Sequence, residues 1–112
     1  MNRFLRGREK EDLAARYLTS KGYTILYRNF RTKFGEIDMV AKEGECLVFV
    51  EVRSKSTEEF GAPEESINRV KIERIKRTAQ CYLLNCEVRY VDVRFDVISI
   101  SGDKLEHIQN AF

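Results

Sequence analysis

The sequence predicts one α/β (α+β) domain whose elements run α-β-β-β-α-β-β. Three observations lead there. Two stretches, Gly7 to Lys21 and Pro63 to Leu84, space their apolar residues at helical intervals. Runs rich in β-branched and aromatic residues lie between and after them, punctuated by turn-forming residues. The 112 residues suit a single domain, residues 1–112, and a hydrophobic fraction of 43% is enough for one modest core.

Leu13, Ala14, Tyr17 and Leu18 share one face of the first helix, and Gly22 is placed to stop it. Glu11 is in line with Ala14 and Leu18 and borders the buried face, whereas Glu9 points further away. Tyr23 to Asn29 is rich in strand formers. Gly35 to Ala41 alternates, with Glu36, Asp38 and Val40 expected on one side and Ile37, Met39 and Ala41 on the other. Glu43-Gly44-Glu45 makes a turn into Cys46 to Arg53. That strand sets Leu47, Phe49, Glu51 and Arg53 against Val48, Val50 and Val52, and the two strands form an antiparallel hairpin.

Ser54 to Ala62 reads as a loop, after which Pro63, Glu64 and Glu65 suit the first turn of a helix. Ile72, Ile75, Ala79, Tyr82 and Leu83 form its apolar face. Tyr90 to Ile100 is a further strand, and Gly102-Asp103 turns into a short last strand, Lys104 to Gln109. His107, the only histidine, falls near an end expected to fray and receives no role. Asp96 is expected in a structural ion pair with an arginine.

Composition narrows the function. Cys46, Cys81 and Cys86 are an odd set without a CxxC pair, so neither a zinc site nor a disulfide framework is indicated. The basic N-terminus lacks a following apolar stretch of signal-peptide length, and no window has the length of a membrane span. A cytoplasmic protein without a membrane partner is expected. A net charge of +2 does not by itself announce a nucleic-acid binder, so the distribution of charge has to be considered.

Glu51 interrupts a run, Leu47 to Val52, that is otherwise apolar. A carboxylate there is costly to desolvate without a compensating cation or hydrogen bonds. Asp38, on the neighbouring strand, offers a second one. Phosphodiester hydrolysis needs an activated water and a neutralised leaving oxygen, and magnesium held by a few carboxylates supplies both. Asp38 and Glu51 are therefore candidate ligands, with Glu11 as a third. Arg53, on the Glu51 face, could hold phosphate or stabilise the transition state, and Lys71 could point back to the sheet from the second helix. Bland readings compete: an ion-paired strand acid for Glu51 and Asp38, a helix-surface acid for Glu11, a snorkelling boundary lysine for Lys71. Basic residues cluster at Arg28, Arg31 and Lys33, and again at Arg69, Lys71, Arg74, Lys76 and Arg77. Phosphate backbones attract such patches, although a solvated helix face looks the same.

Gly35-Glu36-Ile37-Asp38 followed by Phe49-Val50-Glu51-Val52-Arg53 resembles the D…ExK signature of the restriction-endonuclease-like PD-(D/E)xK superfamily. The wider pattern is similar to the YraN family of small bacterial endonuclease-like proteins, whose function is not established. Its features here are Gly7, Glu11, Ala14, Gly22-Tyr23, Asn29, the Gly-Glu-Ile-Asp hairpin, Phe-Val-Glu-Val, Lys71 and Arg94-Phe95-Asp96. The resemblance implies a mixed sheet flanked by helices and metal-ligand roles for Asp38 and Glu51. By similarity to archaeal Holliday-junction resolvases it extends such a role to Glu11. The superfamily's lysine is Arg53 here, so the basic role falls to Arg53, to Lys55 or Lys71, or catalysis is lost.

The leading expectation is a nuclease using Mg2+ (or Mn2+) on DNA, branched or junction DNA among its substrates. The partner is nucleic acid, and a homodimer is compatible with this reading. A catalytically inactive nucleic-acid-binding module on the same fold is the alternative. A protein-interaction adaptor with a buried ion-pair network is the third reading.

Overall fold

Helix α1, Gly7–Ser20, buries Ala14 and Leu18, one turn apart on the expected face. It ends where Gly22 turns left-handed at φ 95°, a conformation a side chain would strain. The Tyr23 N–H then bonds back to the Leu18 carbonyl and the Gly22 N–H to the Thr19 carbonyl, each at 3.0 Å. Strands β1 (Thr24–Thr32), β2 (Gly35–Glu43) and β3 (Cys46–Ser54) follow, then α2 (Arg69–Leu84), β4 (Asp92–Ser101) and β5 (Lys104–Ile108). The computed structural model describes residues 7–54 and 69–112. The expected loop after Ser54, the helix start at Pro63 and Lys55 lie outside the described residues. No helix among those residues is long and apolar enough to cross a membrane.

The five strands form one mixed sheet in the order β1-β2-β3-β4-β5. β3 and β4 pair parallel, and the other neighbours pair antiparallel. A parallel pair needs a crossover, and α2 lies in it. The sheet has two apolar faces. α1 packs on Met39, Ala41, Val48, Val50, Ile98 and Ile100. Ile75 and Ala79 of α2 pack on Ile37, Val40, Leu47 and Phe49. The order α-β-β-β-α-β-β and the mixed sheet flanked by helices agree with the sequence.

The alternation expected for β2 fails at one point. Ile37 and Val40 both lie on the α2 face, while Met39 and Ala41 lie on the α1 face. β1 keeps its register across this point, with Arg28 paired to Met39 and Phe30 to Ile37; its register shift lies earlier, between Ile25 and Tyr27. The pairing skips Asn29 and Asp38, which stand opposite each other, and Asn29 adopts φ 57°. A left-handed residue moves every later side chain out of the two-residue phase. Asn tolerates that conformation better than most residues, so β1 continues through the kink to Thr32 instead of ending at Asn29.

The chain's end is not frayed. His107 sits in β5 with its side chain 6% exposed, and its Nε2 lies 2.7 Å from Asp96 Oδ2. Beyond β5 the Ala111 N–H bonds to the Phe95 carbonyl at 2.7 Å, and the Phe112 ring stacks on Phe95. Asp96 does pair with an arginine: Arg94 reaches its two oxygens at 2.9 Å each.

Candidate metal and nucleic-acid site

β2 and β3 stop pairing at Met39 and Val50. Asp38 and Glu51 are the next residues outward on the two strands, so the same register sets them opposite each other. The Val52 N–H donates to Asp38 Oδ2 at 2.8 Å. A side-chain carboxylate thus takes a ladder donor just past the last backbone pair, where the two strands part.

Glu51 is 8% exposed. It follows Leu47 and Phe49 in the strand's alternation and so lies on the α2 face. Lys71 Nζ on α2 is 2.8 Å from Glu51 Oε2, and Arg53 Nη1 is 3.6 Å from the same oxygen. Lys71 therefore does point back to the sheet, and it compensates the charge that the apolar flanks would otherwise leave stranded.

Asp38 is half-buried. Burial, and next the negative charge of Glu51, push its carboxyl up to about 7. Glu11 and Glu36 add to the rise, and the Val52 N–H opposes it. Near neutral pH this group sits between its charged and neutral forms.

Asn29 organises the surrounding acids. Its Nδ2 donates to Glu11 Oε1 and to Glu36 Oε2, at 3.1 Å in each case. Sequence reasoning gave Asn29 no site role; its signal was an Asn inside a β-rich run, opposite Asp38. Glu36 also pairs with Arg31 at 3.3 Å.

Carboxylate oxygens are hard donors and suit Mg2+ or Mn2+, which take one or two carboxylates and complete the shell with water and phosphate. Asp38 and Glu51 fit that need in chemistry and placement. Among the described residues, no group of three or more His, Cys, Asp or Glu stands ready to hold a metal ion. Glu11 is engaged by Asn29 and acts on Asp38 through its charge.

The basic candidates divide. Lys33, Arg74 and Arg77 line a groove of about 630 Å³ between the β1–β2 turn and α2. An adjoining hollow of about 430 Å³, lined by Glu36, Lys71 and Arg74, extends the groove toward the partner of Glu51. Arg69 is exposed at the start of α2. Arg28 lies elsewhere: past the register shift between Ile25 and Tyr27 it stands under α1, 2.7 Å from Asp12 and 3.9 Å from Glu11. Arg31 is held by Glu36.

Residues 10–100 match the profile of an uncharacterised protein family, UPF0102. A UPF0102 protein of Persephonella marina is 50% identical over 109 residues, covering 97% of this chain and 94% of that one. One from Thermodesulfovibrio yellowstonii is 48% identical over 112 residues, covering 100% and 99%. One from Sulfurihydrogenibium sp. is 43% identical over 112 residues, covering 100% and 97%.

Proposed function

The chain belongs to the uncharacterised protein family UPF0102, and we propose that it is a nuclease that hydrolyses phosphodiester bonds in DNA with the aid of Mg2+ or Mn2+. The observation that carries this reading is the placement of Asp38 and Glu51 opposite each other where β2 and β3 part, beside a basic groove. Asp38 and Glu51 would hold the ion, which supplies charge neutralisation at the reacting phosphate and a lowered pKa for an attacking water. Glu11, fixed through Asn29, supports the negative field around Asp38.

The residues have separable tasks. Glu51 orients Lys71 and Arg53, and both cations can turn to a phosphate oxygen once Glu51 has another partner. Arginine stays protonated, so Arg53 neutralises charge and cannot act as a base. Lys71 stands where the superfamily's lysine is missing from the strand. Lys33, Arg74 and Arg77 hold the backbone away from the reacting phosphate.

Purified protein incubated with linear, flapped and branched DNA in Mg2+ or Mn2+ should cut at least one of them, and Glu51→Gln should not. Uncut substrates throughout, with intact binding, would transfer the chain to the second reading. That reading, a nucleic-acid-binding module without catalysis, is favoured by one observation: Glu51 is already neutralised by Lys71 and Arg53.

Binding should weaken steeply with added salt, because each phosphate neutralised releases counterions. Charge reversal at Arg74 and Arg77 should lower affinity roughly tenfold or more on all sequences alike. It should also flatten the salt slope by about 1 for each phosphate no longer neutralised. A salt titration by fluorescence anisotropy checks this. Affinity indifferent to salt would remove the groove from the nucleic-acid surface.

A further inference from the structure

We infer that Phe34 is a stacking platform for an unpaired base, so that the groove selects nucleic acid with single-stranded character over continuous duplex. The inference rests on the nucleic-acid reading above and names its substrate class.

Phe34 lies at the turn between β1 and β2, and it lines both the basic groove and its extension toward Lys71. A half-buried aromatic ring in a groove lined by Lys33, Arg74 and Arg77, with Glu73 the one acid among its described lining residues, differs from an ordinary turn residue. Arg77 Cζ is 5.1 Å and Lys33 Nζ 5.4 Å from its ring centroid. At such distances on a solvated surface the cations are weakly held, and their long side chains can swing from the ring to a flanking phosphate. A base taking the ring face would therefore meet two cations already placed for its own backbone. Stacking of bases on aromatic rings combined with a basic track is how single strands are held without sequence readout. Continuous duplex offers phosphates to the same cations but no free base face.

The platform is rigid. The Phe34 N–H donates to Thr32 Oγ1 at 3.0 Å, and Thr32 Oγ1 lies 3.4 Å from Thr78 Oγ1 on α2. The turn packs against the helix at Gly35, where a Cβ would meet Thr78 Oγ1 at 3.5 Å and the Arg74 Cβ at 3.6 Å, ordinary contact distances. The ring is thus presented by a turn anchored to α2, so little order has to be gained when a base stacks.

The test compares fluorescein-labelled oligo-dT, oligo-rU and a duplex of equal length by anisotropy, at low salt in EDTA. Metal-free conditions separate binding from cleavage. Wild type should bind the single strands more tightly than duplex. Phe34→Leu, which keeps apolar bulk without a π face, and Phe34→Ala should each lose about tenfold on single strands and leave duplex binding unchanged. Phe34→Trp should restore it. Equal binding of strand and duplex by wild type, or Phe34→Leu weakening both alike, overturns the platform. A wild type that cuts DNA yet shows no single-strand preference overturns the platform and leaves the nuclease reading standing. A wild type with the preference that cuts nothing supports the platform and defeats catalysis.

Discussion

Asp38→Asn protein should melt above wild type in EDTA at pH 8, by about 5–15 °C, and should lose all metal-dependent cleavage. The folded Asp38 carboxyl titrates at about 7, because it is buried beside Glu51, against 3.8 when unfolded. The folded state therefore holds a proton that the unfolded state has released between those two values. Stability falls as pH rises through that window, by up to about 4 kcal/mol for a difference of this size. Asparagine removes the charge and still accepts the Val52 N–H, so the variant should lack this decline. The gap between the two proteins should close toward pH 4–5, where Asp38 is protonated. Each kcal/mol moves the midpoint by roughly 4–8 °C in a small domain, so the expected rise of about 5–15 °C corresponds to recovering about 1–2 kcal/mol of this loss.

Metal should act on one of the two proteins and not on the other. Binding that favours the folded state raises the midpoint by mass action, so Mg2+ or Mn2+ should stabilise wild type most at pH 8 and leave Asp38→Asn unmoved. Melts at pH 5 and pH 8, each with and without metal, measure all of this. If Asp38 is instead a structural ion-pair partner, the variant melts several degrees lower at pH 8 and wild type ignores both metals. That result would end the metal site.

The order of elements was legible because each rests on local periodicity. Ala14 and Leu18, or Val48 and Val50, declare their face within a few residues. Glu51 was legible because a carboxylate between valines needs a reason. What could not be read was whatever depends on a single backbone rotation or on residues distant in sequence. Asn29 shifts the phase of both its own strand and β2, and no periodicity announces a left-handed residue inside a strand. The register shift between Ile25 and Tyr27 is equally silent in the sequence, and past it Arg28 is out of the basic groove and in an ion pair with Asp12. Lys71 was placed at the edge of its helix face, but its partner became visible only when α2 packed on β3. His107 was misjudged for the same reason: its partners Asp96 and Tyr17 come from another strand and another element.

The two buried acids, Asp38 and Asp96, should respond oppositely to substitution. Asp96 is fully buried on the α1 face, opposite Val50 in the register. Burial would raise its pKa, but hydrogen bonds from His107, Arg94 and the Asn110 N–H prevail and hold the carboxyl below its usual value. Arg94 in turn reaches the Tyr23 hydroxyl at 2.7 Å and Glu43 at 3.1 Å, so one guanidinium ties β4 to β2 and to the end of α1. Asp96→Ala leaves the half-buried Arg94 with the more exposed Glu43 as its counter-charge among the described residues and strands the Asn110 N–H. Removing one partner of such a buried pair costs about 3–5 kcal/mol. Against a total of roughly 5–15 kcal/mol for a small domain, the midpoint should drop by at least about 12 °C. The contribution of a depressed carboxyl is complete above its unfolded value and is lost as pH falls toward its folded one. The deficit of Asp96→Ala should therefore be full at pH 7 and shrink in acid, the reverse of the Asp38→Asn profile. Replacing both charges, as Arg94→Met with Asp96→Leu, should recover part of the loss, because the carboxylate left without its cation is Glu43, which is exposed enough to be solvated, while the Asn110 N–H stays unpaired. An Asp96→Ala midpoint within about 3 °C of wild type at pH 7, or a double variant no better than the single one, would show that the network is not what holds β5 and α1 against the sheet.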